Sequence, residues 1–335
     1  MKYSVTVIFS LVFSMYCSEM IYGQKHWIKF EPTSAKDNGK SIVLISGDES
    51  YRSEESLPML AKILTTHHGF HTTVLFSINP DTQLIDPNYL QNIPGLHFLD
   101  SADLVIIQTR FRELPDDQME FIDKYLRQGK PVIGLRTATH AFRYPKKSTS
   151  KFKEYSYDCK EKWVGGFGKQ ILGETWISHH GLENEATRSL LDGIAKIEKN
   201  PVLNGVGVIW GPSGVYSTER LPPNAKVLIW GASTEAIDPN SPVVWGKSIM
   251  PIAWIRSYTG RNGAMGKAFT TTLGASMDFL DEDLRRLVVN AVYWTLDMPD
   301  NIPANGTNVE IVGQYQPTMF GFDGFKKGMK PSDYQ

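Results

Sequence analysis

Cysteine is nearly absent: the chain has only Cys17 and Cys159. Cys17 falls in a segment read below as cleaved, which leaves Cys159 alone and excludes an intrachain disulfide. An excess of one charge is lacking as well, since 35 Lys and Arg face 36 Asp and Glu, for a net charge of -1. That balance gives no global attraction to nucleic acid or to an anionic membrane. No apolar run reaches the roughly 20 residues of a membrane span. A phosphate-cradling glycine loop is missing after the first strand, where Gly47-Asp48-Glu49-Ser50 stands, and this argues against a dinucleotide cofactor. There is no Gly-x-Ser-x-Gly either, so the usual serine-hydrolase elbow is excluded.

Residues 1–23 read as a secretory signal peptide. Lys2 gives the positive start, 5–16 are mostly apolar, and Gly23 puts a small residue before a cut at Gln24. The alternative, a lipid anchor on Cys17, is disfavoured by the bulky Tyr16 before it. The mature chain is thus expected to be exported, periplasmic or secreted. Residues 24–39 form a lead-in, 40–300 one domain, and 301–335 a Gly/Pro/aromatic tail, packed irregularly over the domain or disordered. With 8 Trp and 11% aromatic residues, core material is ample.

Ser41-Ile42-Val43-Leu44-Ile45-Ser46 is a continuous apolar run of the buried parallel-strand kind. Leu57, Leu60, Ala61 and Leu64 then share one helix face, and Gly69 closes that helix. Strands follow over 71–76, 103–107 and 131–135, with a helix over 116–128 between the last two. Further strands are predicted over 226–230, 251–257 and 267–272, a helix over 185–194, and the clearest helix over 281–296. Alternation of strands and helices implies an α/β fold with a doubly wound, mainly parallel sheet.

In such sheets ligands bind beyond the carboxyl ends of the strands. After the first strand come Asp48, Glu49, Tyr51 and Arg52. Gln108, Thr109, Arg110 and Arg112 follow the third, and Arg136, Thr137, Thr139 and His140 follow the fourth. Acids, guanidinium groups and hydroxyls in one crevice suit a polyhydroxylated or anionic small ligand. The turn at Arg136-Thr137-Ala138-Thr139 is of the strand-to-helix kind that lifts one side chain and aims helix N–H groups at a ligand, with the helix starting at His140. His179-His180, with Gly181 allowing a turn, could join His140 and Asp48 as an N/O ligand set for a divalent metal such as zinc. A solvated or hydrogen-bonded pair is the commoner fate of such histidines. His67-His68, at a helix end, read as structural, where a cationic ring favours the helix dipole.

The chain resembles the ThuA-like (trehalose-utilisation) family, a branch of the class I glutamine amidotransferase-like, flavodoxin-like fold. The resemblance runs along residues 40–299. It rests on Ser41-Ile42-Val43-Leu44-Ile45-Ser46-Gly47, Ala102-Asp103-Leu104-Val105-Ile106, Lys130-Pro131-Val132-Ile133-Gly134-Leu135-Arg136-Thr137-Ala138-Thr139-His140, Pro251-Ile252-Ala253-Trp254, and Lys267-Ala268-Phe269-Thr270-Thr271-Thr272-Leu273-Gly274. The superfamily's nucleophilic cysteine falls at Arg136, so glutamine amidotransferase activity is not expected. Asn200 and Ala275 replace histidines carried by many relatives.

The resemblance implies a carbohydrate-linked role, on keto-sugars supplied by a partner sugar dehydrogenase. His140 is then the acid/base, and Asp48 or Glu49 orients it or binds sugar hydroxyls. Arg136 and Arg110 stabilise oxyanionic charge, and Tyr51, Arg52, Thr137 and Thr139 contact the ligand. A non-catalytic sugar-binding protein or a partner subunit on the same scaffold is the alternative.

Overall fold

The computed structural model describes residues 26–190, 200–218 and 220–335. The predicted signal segment, with Cys17, lies outside them. Among the described residues, no helix is long and apolar enough to cross a membrane.

The strands are β1 (Trp27–Phe30), β2 (Ser41–Gly47), β3 (His71–Leu75), β4 (Leu104–Thr109), β5 (Val132–Leu135), β6 (Thr187–Leu190), β7 (Trp210–Gly211), β8 (Ala225–Ser233), β9 (Met250–Thr259) and β10 (Met265–Thr271). Among the described residues three α-helices accompany them: α1 (Ser53–His68), α2 (Asp116–Arg127) and α3 (Glu282–Thr295). All ten strands form one sheet, in the order β1-β3-β2-β4-β5-β10-β9-β8-β6-β7.

The central strands β3, β2, β4, β5 and β10 are parallel, with Gly47 opposite Thr109 and Thr271 opposite Leu135. Outside them every pairing is antiparallel: β1 on β3, and β9, β8, β6 and β7 in succession beyond β10. The sheet is therefore mixed, and the predicted mainly parallel sheet describes only its centre. Parallel neighbours need long crossovers, and the helices supply these between β2 and β5. Beyond β10 the chain doubles back through shorter connections.

The two faces of the sheet carry separate cores. Ile42, Leu44, Ile106, Ile133 and Leu135 pack against Leu57, Leu60 and Leu64 of α1 and Leu284, Leu287 and Val288 of α3. Val43, Ile45, Val105, Ile107 and Val132 pack against Met119, Ile122, Tyr125 and Leu126 of α2. Because β2, β4 and β5 are buried on both faces, they read as nearly unbroken apolar runs. Each such side chain contributes about 1.5–3 kcal/mol by leaving water.

Two local expectations are corrected. The lead-in holds an edge strand, with Trp27 opposite Leu75. The described part of the helix predicted over 185–194 is instead strand β6, since Thr187 to Leu190 pair with Ser233 to Trp230 of β8. The tail is ordered against the domain: Tyr315 donates to the Ser276 carbonyl at 2.7 Å, and the Tyr334 ring stacks on Phe76.

Candidate functional site

β5 ends at Leu135, and the chain reverses at Arg136 with φ 44°. A left-handed backbone costs an L-residue roughly 1–2 kcal/mol. The Arg136 side chain offsets that strain. Its guanidinium donates to the carbonyls of Gly214 (3.0 Å) and Thr272 (2.6 Å) and to the Tyr51 hydroxyl (3.0 Å). It lies 4.2 Å from the ring centres of both Tyr51 and Tyr216. At 1% exposure it is enclosed by protein. Arg136 is lifted off the sheet as the sequence predicts, but its charged head ties three loops together. Its geometry is that of a post, and the predicted oxyanion contact is not what these bonds make.

A single 3₁₀ turn, Arg136–His140, follows the elbow in place of the predicted helix. A built Cβ on Gly168 would fall 2.0 Å from the Thr139 carbonyl oxygen, so only glycine lets that neighbouring segment back the turn. The predicted cradle of helix N–H groups is therefore absent at this elbow, and the side chains carry the site.

Both acids of the β2 loop serve the scaffold. Asp48 accepts the backbone N–H of Ser50 (2.8 Å) and Tyr51 (2.9 Å) through one oxygen, and the Thr137 hydroxyl through the other. Glu49 accepts from Arg110 on one oxygen and from the fully buried Arg112 (2.8 Å) on the other. Burial pushes the Glu49 carboxyl up, and the two guanidinium groups, Arg112 foremost, pull it back. Arg112 also donates to Ser77 and to the carbonyls of Pro87 and Tyr89. Neither carboxylate bonds to His140, so the predicted orienting role does not fall to Asp48 or Glu49. Arg52 donates to the carbonyls of Ser50 and of Gly321 in the tail.

His140 is held differently. Its Nδ1 lies 3.1 Å from the Thr139 hydroxyl, which in turn donates to the Arg136 carbonyl at 3.4 Å. If Thr139 donates onward, Nδ1 carries the ring hydrogen and Nε2 keeps its lone pair; the tautomer follows from the hydrogen-bond network. Among the described residues Nε2 has no protein partner. The ring sits among Phe111 (5.1 Å between centres), Trp176 (5.4 Å), Tyr216 (6.0 Å) and Tyr157 (6.3 Å). At 3% exposure, burial first and then the charges of Arg110 and Arg136 hold its pKa well below 6.5, so the ring is neutral at physiological pH. The indole Nε1 of Trp176 is buried and has no partner among the described residues.

The two remaining histidines part company. His179 joins the same ring cluster, edge-on to Tyr216 at 5.3 Å and to Trp176 at 5.9 Å. His180 turns away, its Nε2 2.8 Å from the Ser248 carbonyl. Among the described residues no three His, Cys, Asp or Glu side chains are grouped to hold a metal ion. The predicted zinc set of His140, His179, His180 and Asp48 is therefore not assembled here.

The residues that sequence reasoning missed are aromatic: Phe111, Tyr157, Trp176 and Tyr216. Phe111 stands between Arg110 and Arg112, two residues picked out by their place just beyond the third predicted strand, and that place alone would have included it. Tyr157, Trp176 and Tyr216 lie outside the named strands and helices, where no periodicity marks them.

A family model described as trehalose utilisation (ThuA) matches residues 41–295. No curated protein matches the chain. Among solved structures, a putative ThuA-like protein from Parabacteroides merdae ATCC 43184 is 17% identical, with a TM-score of 0.46 over 77% of this chain and 90% of its own. An exo-β-1,4-mannosidase from Opitutaceae bacterium strain TAV5 is 10% identical, with a TM-score of 0.32 over 80% of this chain and 37% of its own.

Proposed function

The chain belongs to the trehalose-utilisation (ThuA) family, and from that premise we propose that it acts on sugars, keto-sugars in particular, by proton transfer at His140. One observation carries the reading. His140 is a neutral, buried imidazole whose Nδ1 is engaged by Thr139 and whose Nε2 has no protein partner among the described residues. That is the form in which a histidine accepts a proton.

A base of this kind acts on the C–H next to a sugar carbonyl. The C–H bond breaks, its proton goes to Nε2, and its electron pair moves onto the carbonyl oxygen as an enolate. Arg110, whose positive charge reaches His140, favours that negative charge, and the unpartnered N–H of Trp176 is a donor for it. The enolate then takes a proton back on carbon, or it expels the oxygen substituent one carbon further on, which leaves as an alcohol with the proton held at Nε2; the enone so formed can subsequently add water. The aromatic surroundings suit the apolar faces of a sugar ring and exclude water from the base.

The bonding of the charged groups favours a second reading, in which the protein binds sugar without turnover. Most charged heads near the elbow are already bonded to protein: Asp48, Glu49, Arg52, Arg112 and Arg136. The groups left to face a ligand are mainly rings.

Deuterium exchange separates the two readings. Wild-type protein in D₂O is expected to wash deuterium into 3-keto-trehalose next to its carbonyl, read by NMR. His140→Ala should lower that rate by about 100-fold or more, with an unchanged circular dichroism spectrum. Wild-type exchange in the variant would sink His140 as the base. Binding without exchange by the wild type would establish the binding protein instead.

A further inference from the structure

The tail crosses the rim of the His140 site, and its anchors fall on the loops that build that site. Tyr315 donates to the Ser276 carbonyl (2.7 Å), and the Ser276 hydroxyl donates to the Thr318 carbonyl (3.0 Å). Thr318 gives its N–H (2.7 Å) and hydroxyl (2.9 Å) to the Glu55 carboxylate. Gly321 donates its N–H to the Ser50 carbonyl (2.9 Å) and accepts from Arg52. Beyond it, Asp323 accepts from Asn88 at 2.9 Å. These bonds hold 315–323 against the loop after β2, the turn after β10 and the loop after β3. A segment fixed only to fill surface has no need of anchors on both sides of one residue.

That residue is Phe322, which is 63% exposed although its neighbours Gly321 and Asp323 are both pinned. Its ring centre lies 5.0 Å from the Arg110 guanidinium, whose other ring neighbour is Phe111 at 4.3 Å. Phe111 in turn packs on the His140 ring. The order Phe322, Arg110, Phe111, His140 runs from solvent to the proposed base. Nearby, Phe320 packs on Tyr51 at 5.3 Å, and Tyr51 on Arg136. Single exposed apolar side chains are ordinary. An exposed phenylalanine clamped on both sides, at the outer end of a row that ends on a neutral buried histidine, is not scattered surface.

We propose that Phe322 is a ligand-contacting residue of this site, a ring platform on which the apolar face of a sugar unit stacks while another part of the same ligand reaches His140. The inference rests on the sugar reading above, and it adds a size for the ligand. Phe322 and His140 are linked through the Arg110 guanidinium and the Phe111 ring, and the proposal takes a disaccharide as the ligand that touches both. The tail is then a wall of the site supplied from the far end of the chain.

The test compares trehalose and 3-keto-trehalose binding by calorimetry for the wild type, Phe322→Ala and Phe322→Trp, with melting temperatures beside them. Phe322→Ala is expected to raise the Kd about five- to tenfold, the size of one lost ring contact, with an unchanged melting temperature. Phe322→Trp should restore the wild-type Kd. With 3-keto-trehalose the exchange rate at saturation should stay within about twofold of the wild type in Phe322→Ala, because the loss is in binding. Three results overturn the proposal. One is a wild-type Kd in Phe322→Ala. Another is a fall in saturated rate at constant Kd, which would make Phe322 a support for Arg110. A third is failure of the wild type to bind either sugar, which removes the sugar reading too; in the first two cases that reading survives.

Discussion

Glu54, in the first turn of α1, has a carboxyl that is fully buried, and neither oxygen has a hydrogen-bond partner among the described residues. Burial pushes its pKa from 4.5 up to about 8, outweighing the opposing pull of its own backbone N–H and of Arg52. The folded protein therefore keeps a proton that the unfolded chain releases above about pH 4.5. Between there and about pH 8, stability falls as pH rises. Glu54→Gln removes this penalty while keeping the shape. The variant's stability advantage over the wild type, read as a difference in melting temperature, is expected to widen steadily from pH 4.5 to pH 7, approaching a free energy on the order of 3 kcal/mol. Parallel melting-temperature curves for the two proteins would show that Glu54 is not buried as a neutral acid. Nothing in the sequence marked this residue, because a glutamate in a first turn is the ordinary choice for the helix dipole. His140 was legible, since it lies just beyond a buried strand. Its ring partners were not, because they come from loops whose positions only the folded chain sets.

Elements with long apolar patterns read clearly from the sequence. The predicted faces of α1, α2 and α3 are the buried ones, with Leu57, Leu60, Ile122 and Val288 among them. The central parallel strands were legible for the same reason, as runs buried on both sides. The short elements were not: β1 is 4 residues, β6 is 4, and β7 is 2, too few for a period to show. β6 was lost to a helical spacing that tertiary pairing with β8 overrides. The elbow shows what local sequence can and cannot give. Its strand and its sharp turn are evident, but the 3₁₀ turn that replaces the helix depends on Gly168 and Gly274, which are distant in sequence. Gly274 has φ 148°, and an added Cβ would lie 3.2 Å from the Leu135 Cβ and 3.3 Å from the Arg136 Cβ. Gly274→Ala should destabilise the fold by about 1–3 kcal/mol. Gly246→Ala, with open space around it, should change stability by under about 0.5 kcal/mol. Chemical denaturation measures both, and equal midpoints would show that the elbow tolerates a methyl group there.

Across the whole molecule, the parallel centre of the sheet presents the β2, β4 and β5 loops, the antiparallel extension leads into the Tyr216 loop, and the tail closes the rim. This assembly holds three histidines below their ordinary pKa, His140 and His179 in one ring cluster and His68 far from it. His140 lies at the elbow. His68, half-buried in the last turn of α1, is set between the Asn308 carbonyl (2.7 Å) and the Tyr293 hydroxyl (3.1 Å), and burial lowers its pKa to about 4. That corrects the cationic dipole partner read from the sequence. For all three groups the folded pKa lies below the unfolded value near 6.5, so below that pH the unfolded chain takes protons that the folded one refuses. Their contribution is complete above about pH 6.5 and is lost as pH falls toward 4. Part-exposed His71, between Glu31 and Asp37, shifts upward, but solvent screens those contacts. Glu54 and Glu49, both pushed up by burial, oppose the histidines between about pH 4.5 and 6.5. The loss of stability toward acid over that window should therefore be steeper in Glu54→Gln than in the wild type. Replacing His68 and His140 together by Gln should flatten that loss of stability toward acid, as denaturation midpoints from pH 7 to 4.5 would record. A loss of stability toward acid that persists undiminished in the double variant would place the acid sensitivity elsewhere. Because the same burial that destabilises the acidic protein keeps the His140 base unprotonated, exchange activity should hold below pH 6.5 and disappear only where the fold itself is lost.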